Sequence, residues 1–138
     1  MKRALSLSSK IREAGNAFLI KRLKEQGFGN LAPSHGDILA VLYKYEKLTM
    51  KDIADKIHRT KATVTVLVDK LEKENLVKRE KSTEDSRITY IVLTQKSIDS
   101  KSIFEKISNE LNTILYKGFT NDEAKQLDQL LEKMLKNA

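Results

Sequence analysis

Cysteine is absent from this 138-residue chain, which excludes disulfide scaffolding, thiolate catalysis, zinc ribbons and thiol redox sensing. Tryptophan is absent too, and one proline and five glycines leave little material for long irregular loops. His35 and His58 are the only histidines, so a zinc site would have to rest on carboxylates, and neither a metal nor a cofactor is expected. No apolar run approaches the roughly 20 residues of a membrane span. At the start, Lys10, Arg12 and Glu13 interrupt any leader-like apolar core, so a cytoplasmic location without a membrane partner is expected. The phosphate loop GxxxxGK, the GxGxxG turn, HExxH and the nucleophile elbow are all missing. Ser8-Ser9 and the scattered acids have no triad-like spacing, and no catalytic residue is assigned. An enzyme is not expected.

What is present is periodic and basic. Forty per cent of residues are hydrophobic and 33% charged, and the net charge is +7, which favours a polyanionic partner without naming it, with a lysine-rich, well-solvated surface as the competing reading. The excess is local. Residues 1–27 carry seven basic side chains against two acidic, residues 47–87 eleven against eight, and residues 88–138 seven of each. The length suits one domain, with no internal repeat or linker.

Ala4 to Gln26 places Ala4, Leu7, Ile11, Ala14, Phe18, Leu19 and Leu23 on one helical stripe, and Gly27 and Gly29 end it. A helix so long needs an equally long partner surface, which a second subunit would supply. A second helix opens near Pro33, with Ser34 as the expected N-cap and Asp37 as its capping-box acid. Thr49, followed by Asp52, caps a short third helix with Ile53, Ala54 and Ile57 inside. After the tight His58-Arg59 connection, Thr60 caps a fourth, with Val64, Leu67, Val68 and Leu71 inside. Asn75 ends it in the left-handed conformation. Leu76–Lys81 and Ile88–Leu93 read as strands around the polar loop KSTEDSR. A helix on Ile98, Ile103, Ile107, Leu111, Ile114 and Leu115 follows, broken at Gly118. The last helix, capped by Thr120 and Glu123, carries Leu127, Leu130, Leu131, Met134 and Leu135. The tyrosines and phenylalanines fall on apolar stripes or at helix ends and read as core, with the alternative that one of these eight aromatics lines a ligand pocket. The expected fold is mainly α with a small β-hairpin wing: a winged helix-turn-helix over residues 34–94, flanked by dimerisation helices over 1–33 and 95–138.

No acid occurs from Lys56 through Val68. A helix anchored on one side, with small, hydroxylic and basic residues at its free start, suits a DNA major groove. The candidate DNA-binding residues are Arg59, Thr60, Lys61, Ala62, Thr63, Thr65, Val66 and Lys70 around that helix, with Arg79, Asp85 and Arg87 at the wing. An arginine at a wing tip can enter the minor groove, where negative potential is concentrated. Asp85 would fix a nearby arginine, either Arg87 or Arg79. Taken alone, that pair reads as a solvated ion pair of little consequence; next to a helix-turn-helix, it reads as part of a DNA interface.

Residues Leu48 to Leu93 resemble the MarR family of bacterial winged-helix regulators. The resemblance rests on Thr60-Lys61-Ala62-Thr63-Val64-Thr65, Leu71-Glu72-Lys73, Leu76-Val77-Lys78-Arg79, Asp85-Ser86-Arg87 and Leu93-Thr94. It implies a homodimer with interlocked terminal helices and binding to a pseudo-palindromic operator in double-stranded DNA, mostly as a repressor. It also implies release by a small-molecule effector, here of unknown identity. Val66 departs from the family pattern by standing where many members have a basic residue, and an apolar contact with a thymine methyl would replace one polar contact. Asn75, Ser82 and Ser97 depart as well, standing in place of a glycine, a wing acid and a glycine. The alternative is a winged-helix module that binds protein rather than specific DNA.

Overall fold

The computed structural model describes residues 1–138. Six helices and three short strands follow one another as α1 (Ala4–Glu25), α2 (Pro33–Tyr45), β1 (Lys47–Leu48), α3 (Met50–Ile57), α4 (Lys61–Lys73), β2 (Val77–Lys81), β3 (Thr89–Leu93), α5 (Gln95–Leu115) and α6 (Asn121–Lys136). The fold is a winged helix-turn-helix with long helices at both ends, as the periodicity predicts.

The lobe condenses on α2. Ile38, Leu39 and Leu42 of α2 meet Ile53 of α3, Val64, Val68 and Leu71 of α4, Leu76, and Ile91 of β3, and each of these side chains is shut off from solvent. Burying residues of this size contributes about 1.5–3 kcal/mol apiece, so this cluster holds the lobe together. The sheet is antiparallel in the order β1-β3-β2. β2 and β3 pair from Val77 opposite Leu93 to Lys81 opposite Thr89. The two-residue β1 adds Leu48 opposite Ile91. This strand is not legible in the sequence, because two residues carry no alternation to read.

Caps set the helix starts. The Thr49 hydroxyl accepts the Asp52 amide hydrogen at 3.1 Å, and the Asp52 carboxylate accepts that of Thr49 at 3.2 Å. Thr120 and Glu123 do the same at 3.1 and 2.9 Å. Asn75 adopts φ 58° and lets the chain leave α4 for β2, as expected of it.

The start of α2 differs from expectation. Its N-cap is Ala32, not Ser34, and Pro33 takes the first helical position, where its missing amide hydrogen costs nothing. His35, not Asp37, closes the turn: its Nδ1 accepts the Ala32 amide hydrogen at 2.8 Å. Two aromatic residues also depart from the core reading. Tyr45 and Phe119 are exposed, and the Tyr45 ring packs under the Lys56 ammonium at 4.0 Å.

The terminal helices are less complete. α1 packs along α5, and Arg22 donates from Nε and Nη2 to the Glu110 carboxylate at 2.8 and 3.1 Å. Leu7, Ile11, Ile114, Leu130, Leu131, Met134 and Leu135 nevertheless stay exposed. α6 buries no residue at all.

Candidate nucleic-acid interface

The turn before α4 is compact. His58 adopts φ 56°, and the Arg59 amide donates to Ala54 O at 3.1 Å, which folds α4 back across α3. Thr60 then caps α4: its hydroxyl oxygen accepts the Thr63 amide hydrogen at 3.2 Å and lies 3.0 Å from the Thr63 hydroxyl. One turn on, Thr65 donates its hydroxyl hydrogen to Lys61 O at 2.9 Å. Val64, Val68 and Leu71 bolt the helix to the core with no exposure, while Arg59, Thr60, Lys61, Ala62, Thr63 and Val66 face solvent. Val66 is 68% exposed, a high value for a valine on a helix this well anchored.

The wing loop is a built turn. Ser82 Oγ accepts the amide hydrogens of Glu84 and Asp85 at 3.2 and 3.3 Å. The Ser82 amide donates to Ile88 O at 2.9 Å and that of Ile88 to Asp85 O at 3.0 Å, closing the loop on itself. At its tip, Asp85 receives three hydrogen bonds from Arg87, from the backbone amide at 3.0 Å, Nε at 3.1 Å and Nη2 at 3.0 Å. The guanidinium holds the Asp85 carboxyl below its usual range. The Arg87 side chain remains 88% exposed, so it is oriented without being hidden.

Of the two arginines that Asp85 could hold, only Arg87 is held. Arg79 turns to the outer side of α4, donating from Nη2 to Asp69 at 2.6 Å and from Nε to Glu72 at 3.0 Å. It staples β2 to α4. Lys70 lies 3.7 Å from Glu74 on the C-terminal half of α4. The named residues thus separate into an exposed set without an acidic ion-pair partner at the start of α4 (Arg59 through Thr63, and Val66), the half-buried Thr65, and a set joined to acids (Lys70, Arg79, and Arg87 with Asp85). Sequence reasoning missed Ser82, whose turn-forming role has a local signal, a serine two and three residues before the amides it accepts.

Behind this face, α1, α2 and α5 line a half-open pocket of about 440 Å³. Leu19, Leu23, Leu39, Phe104 and Ile107 form its apolar wall, and Asp37 and Glu105 are its acidic members. Tyr43 is the one tyrosine in the wall. Its hydroxyl donates to Ser97 O at 2.6 Å, and burial pushes its pKa up to about 12. No three His, Asp or Glu side chains gather as a metal site, and no helix is long and apolar enough to cross a membrane.

Comparisons with known proteins agree with this geometry. Residues 31–89 match the MarR family model, which bears out the resemblance read from the sequence. The HTH-type transcriptional regulator MhqR of Bacillus subtilis is 27% identical over 124 residues, covering 89% of this chain and 83% of that one. The HTH-type transcriptional regulator MgrA of Staphylococcus aureus is 29% identical over 99 residues, covering 71% of this chain and 65% of that one. Both relatives are transcriptional regulators. Among solved structures, S. aureus MepR in complex with DNA superposes with a TM-score of 0.86 at 26% identity, covering 100% of both chains.

Proposed function

We propose that this chain, whose winged-helix lobe is of the MarR family, is a transcriptional regulator that binds a pseudo-palindromic DNA operator as a homodimer. The observation that carries the reading is the joint presentation of an acid-free, exposed start of α4 and an Arg87 held upright by Asp85. Each subunit sets the N-terminal half of α4 in a major groove and Arg87 in the flanking minor groove. Lys61, Thr63 and Thr65 approach phosphates or base edges, and Val66 makes an apolar contact. Arg59 and Lys70 add positive charge at either end of that contact, and Arg79 and Asp85 act as positioning residues. The MepR–DNA complex, alike in fold over the whole chain, supports DNA as the partner.

Residues 34–94 form the reading lobe, and 1–33 with 95–138 the dimer scaffold. The exposed apolar rows on α1, α5 and α6 are the surface that a second copy covers. A regulator of this build acts as a repressor when its operator overlaps a promoter. A small-molecule effector would act at the pocket, because α2 is both its wall and the helix on which α3 and α4 pack.

Selection of bound duplexes from a random pool tests the proposal. The expected product is an inverted repeat with half-sites about 10–10.5 bp apart, bound with steep salt dependence. Failure to retain any duplex, even at low salt, would overturn it in favour of a protein-binding winged helix. The exposed Val66 is the observation that favours that second reading.

A further inference from the structure

The side chains that α4 offers to a groove are unusual in what they can recognise. From Lys61 to Lys73 the helix holds no arginine, asparagine or glutamine, the residues that read guanine or adenine with paired hydrogen bonds. Its two acids that could accept from cytosine, Asp69 and Glu72, are both occupied by Arg79. The hydroxyls are largely spent as well. Thr65 gives its hydrogen to Lys61 O, and Thr60 bonds with both the amide and the hydroxyl of Thr63. Lys61 is the one cation in the first two turns of the helix. What projects freely is methyl: Ala62 and above all Val66 at 68% exposure, with the half-buried Thr65 beside them.

In the major groove only thymine presents a methyl group. We propose that this helix reads its half-site chiefly through thymine C5-methyl groups, with Val66 as the specificity-determining residue. The inference rests on the DNA-binding reading above and narrows it. Burying Val66 against a thymine methyl removes water from both surfaces, whereas a cytosine there would set a bare ring edge and an amino group against carbon. The half-site facing Ala62–Val66 is therefore thymine-bearing. Its discrimination is graded, because a methyl contact weighs less than a bidentate hydrogen bond.

The test uses the full chain and the duplex recovered by selection. Each half-site thymine is replaced in turn by deoxyuridine, which removes the methyl and leaves the pairing intact. Affinity is measured at one salt concentration for the parent and for Val66→Ala, whose exposed position leaves folding undisturbed. At one or two adjacent positions the parent should lose about three- to fivefold, the weight of one buried methyl group. Val66→Ala should show no further loss at those same positions. Indifference of the parent to every deoxyuridine, alongside firm binding of the selected duplex, would overturn the methyl reading and leave DNA binding standing. An equal loss in parent and variant would remove Val66 from the role. Absence of binding to any duplex would overturn the DNA-binding reading and this one with it.

Discussion

At the scale of single residues, Arg87 and His35 have separable consequences. Arg87 is anchored to Asp85 but exposed, so Arg87→Ala should leave the thermal midpoint unchanged. Operator affinity should fall roughly 5- to 150-fold, and equal titrations for parent and variant would remove Arg87 from the interface. His35 behaves in the opposite way. Its pKa is lowered, by burial first, and Nδ1 must stay unprotonated to accept the Ala32 amide hydrogen. Between its lowered folded value and about 6.5, the unfolded chain binds the proton that the folded chain refuses, so stability rises with pH across that window. Thermal midpoints should therefore hold above about pH 6.5 and decline below it, and His35→Gln should flatten that decline. The Asp85–Arg87 pairing is legible in sequence because a spacing of two residues in a turn brings the groups together whatever the rest does. The Arg79 partners are not legible. Asp69 and Glu72 come within reach only when the hairpin folds back onto α4.

Among the elements, the caps were the readable part. A hydroxyl with an acid three residues later marks a helix start by local geometry alone, and Thr49 and Thr120 both carry that pattern. Thr60 lacks the acid, with Thr63 in its place; on the proposed DNA-binding reading a carboxylate there would face phosphate. Thr60→Ala should destabilise the fold by about 1 kcal/mol. Urea unfolding would read that loss, and an unchanged midpoint would mean that Thr63 caps in its place. α2 misled because three small or polar residues, Ala32, Ser34 and Gly36, all stand near its start. The choice fell to Pro33, whose ring fits the first turn, and to the imidazole behind it. β1 exists only because β3 offers it an edge, which is a tertiary cause.

For the whole molecule, the exposed leucines of α6 bear on the proposed dimer. A lone protomer would leave Leu130, Leu131, Met134 and Leu135 in water, a patch that monomers rarely tolerate. The chain should sediment as a dimer at micromolar concentration. Leu131→Glu, at an exposed position on a helix with no fully buried residue, should yield a folded monomer that binds the selected duplex poorly. A parent that sediments as a monomer would refute the dimer. The start of α5 is spliced onto the end of α4: Thr94 Oγ1 donates to Asn75 O, Lys96 Nζ to Glu74 O, and Ser97 Oγ to Leu76 O. Three bonds across so short a joint tie α5 firmly to the end of α4, so in the proposed dimer any tilt at the far end of α5 would swing α4 with it. Each base pair inserted between half-sites turns the second groove by about 35°, from the helical repeat of DNA. With no slack at the joint, such a dimer would measure operator spacing as strictly as operator sequence.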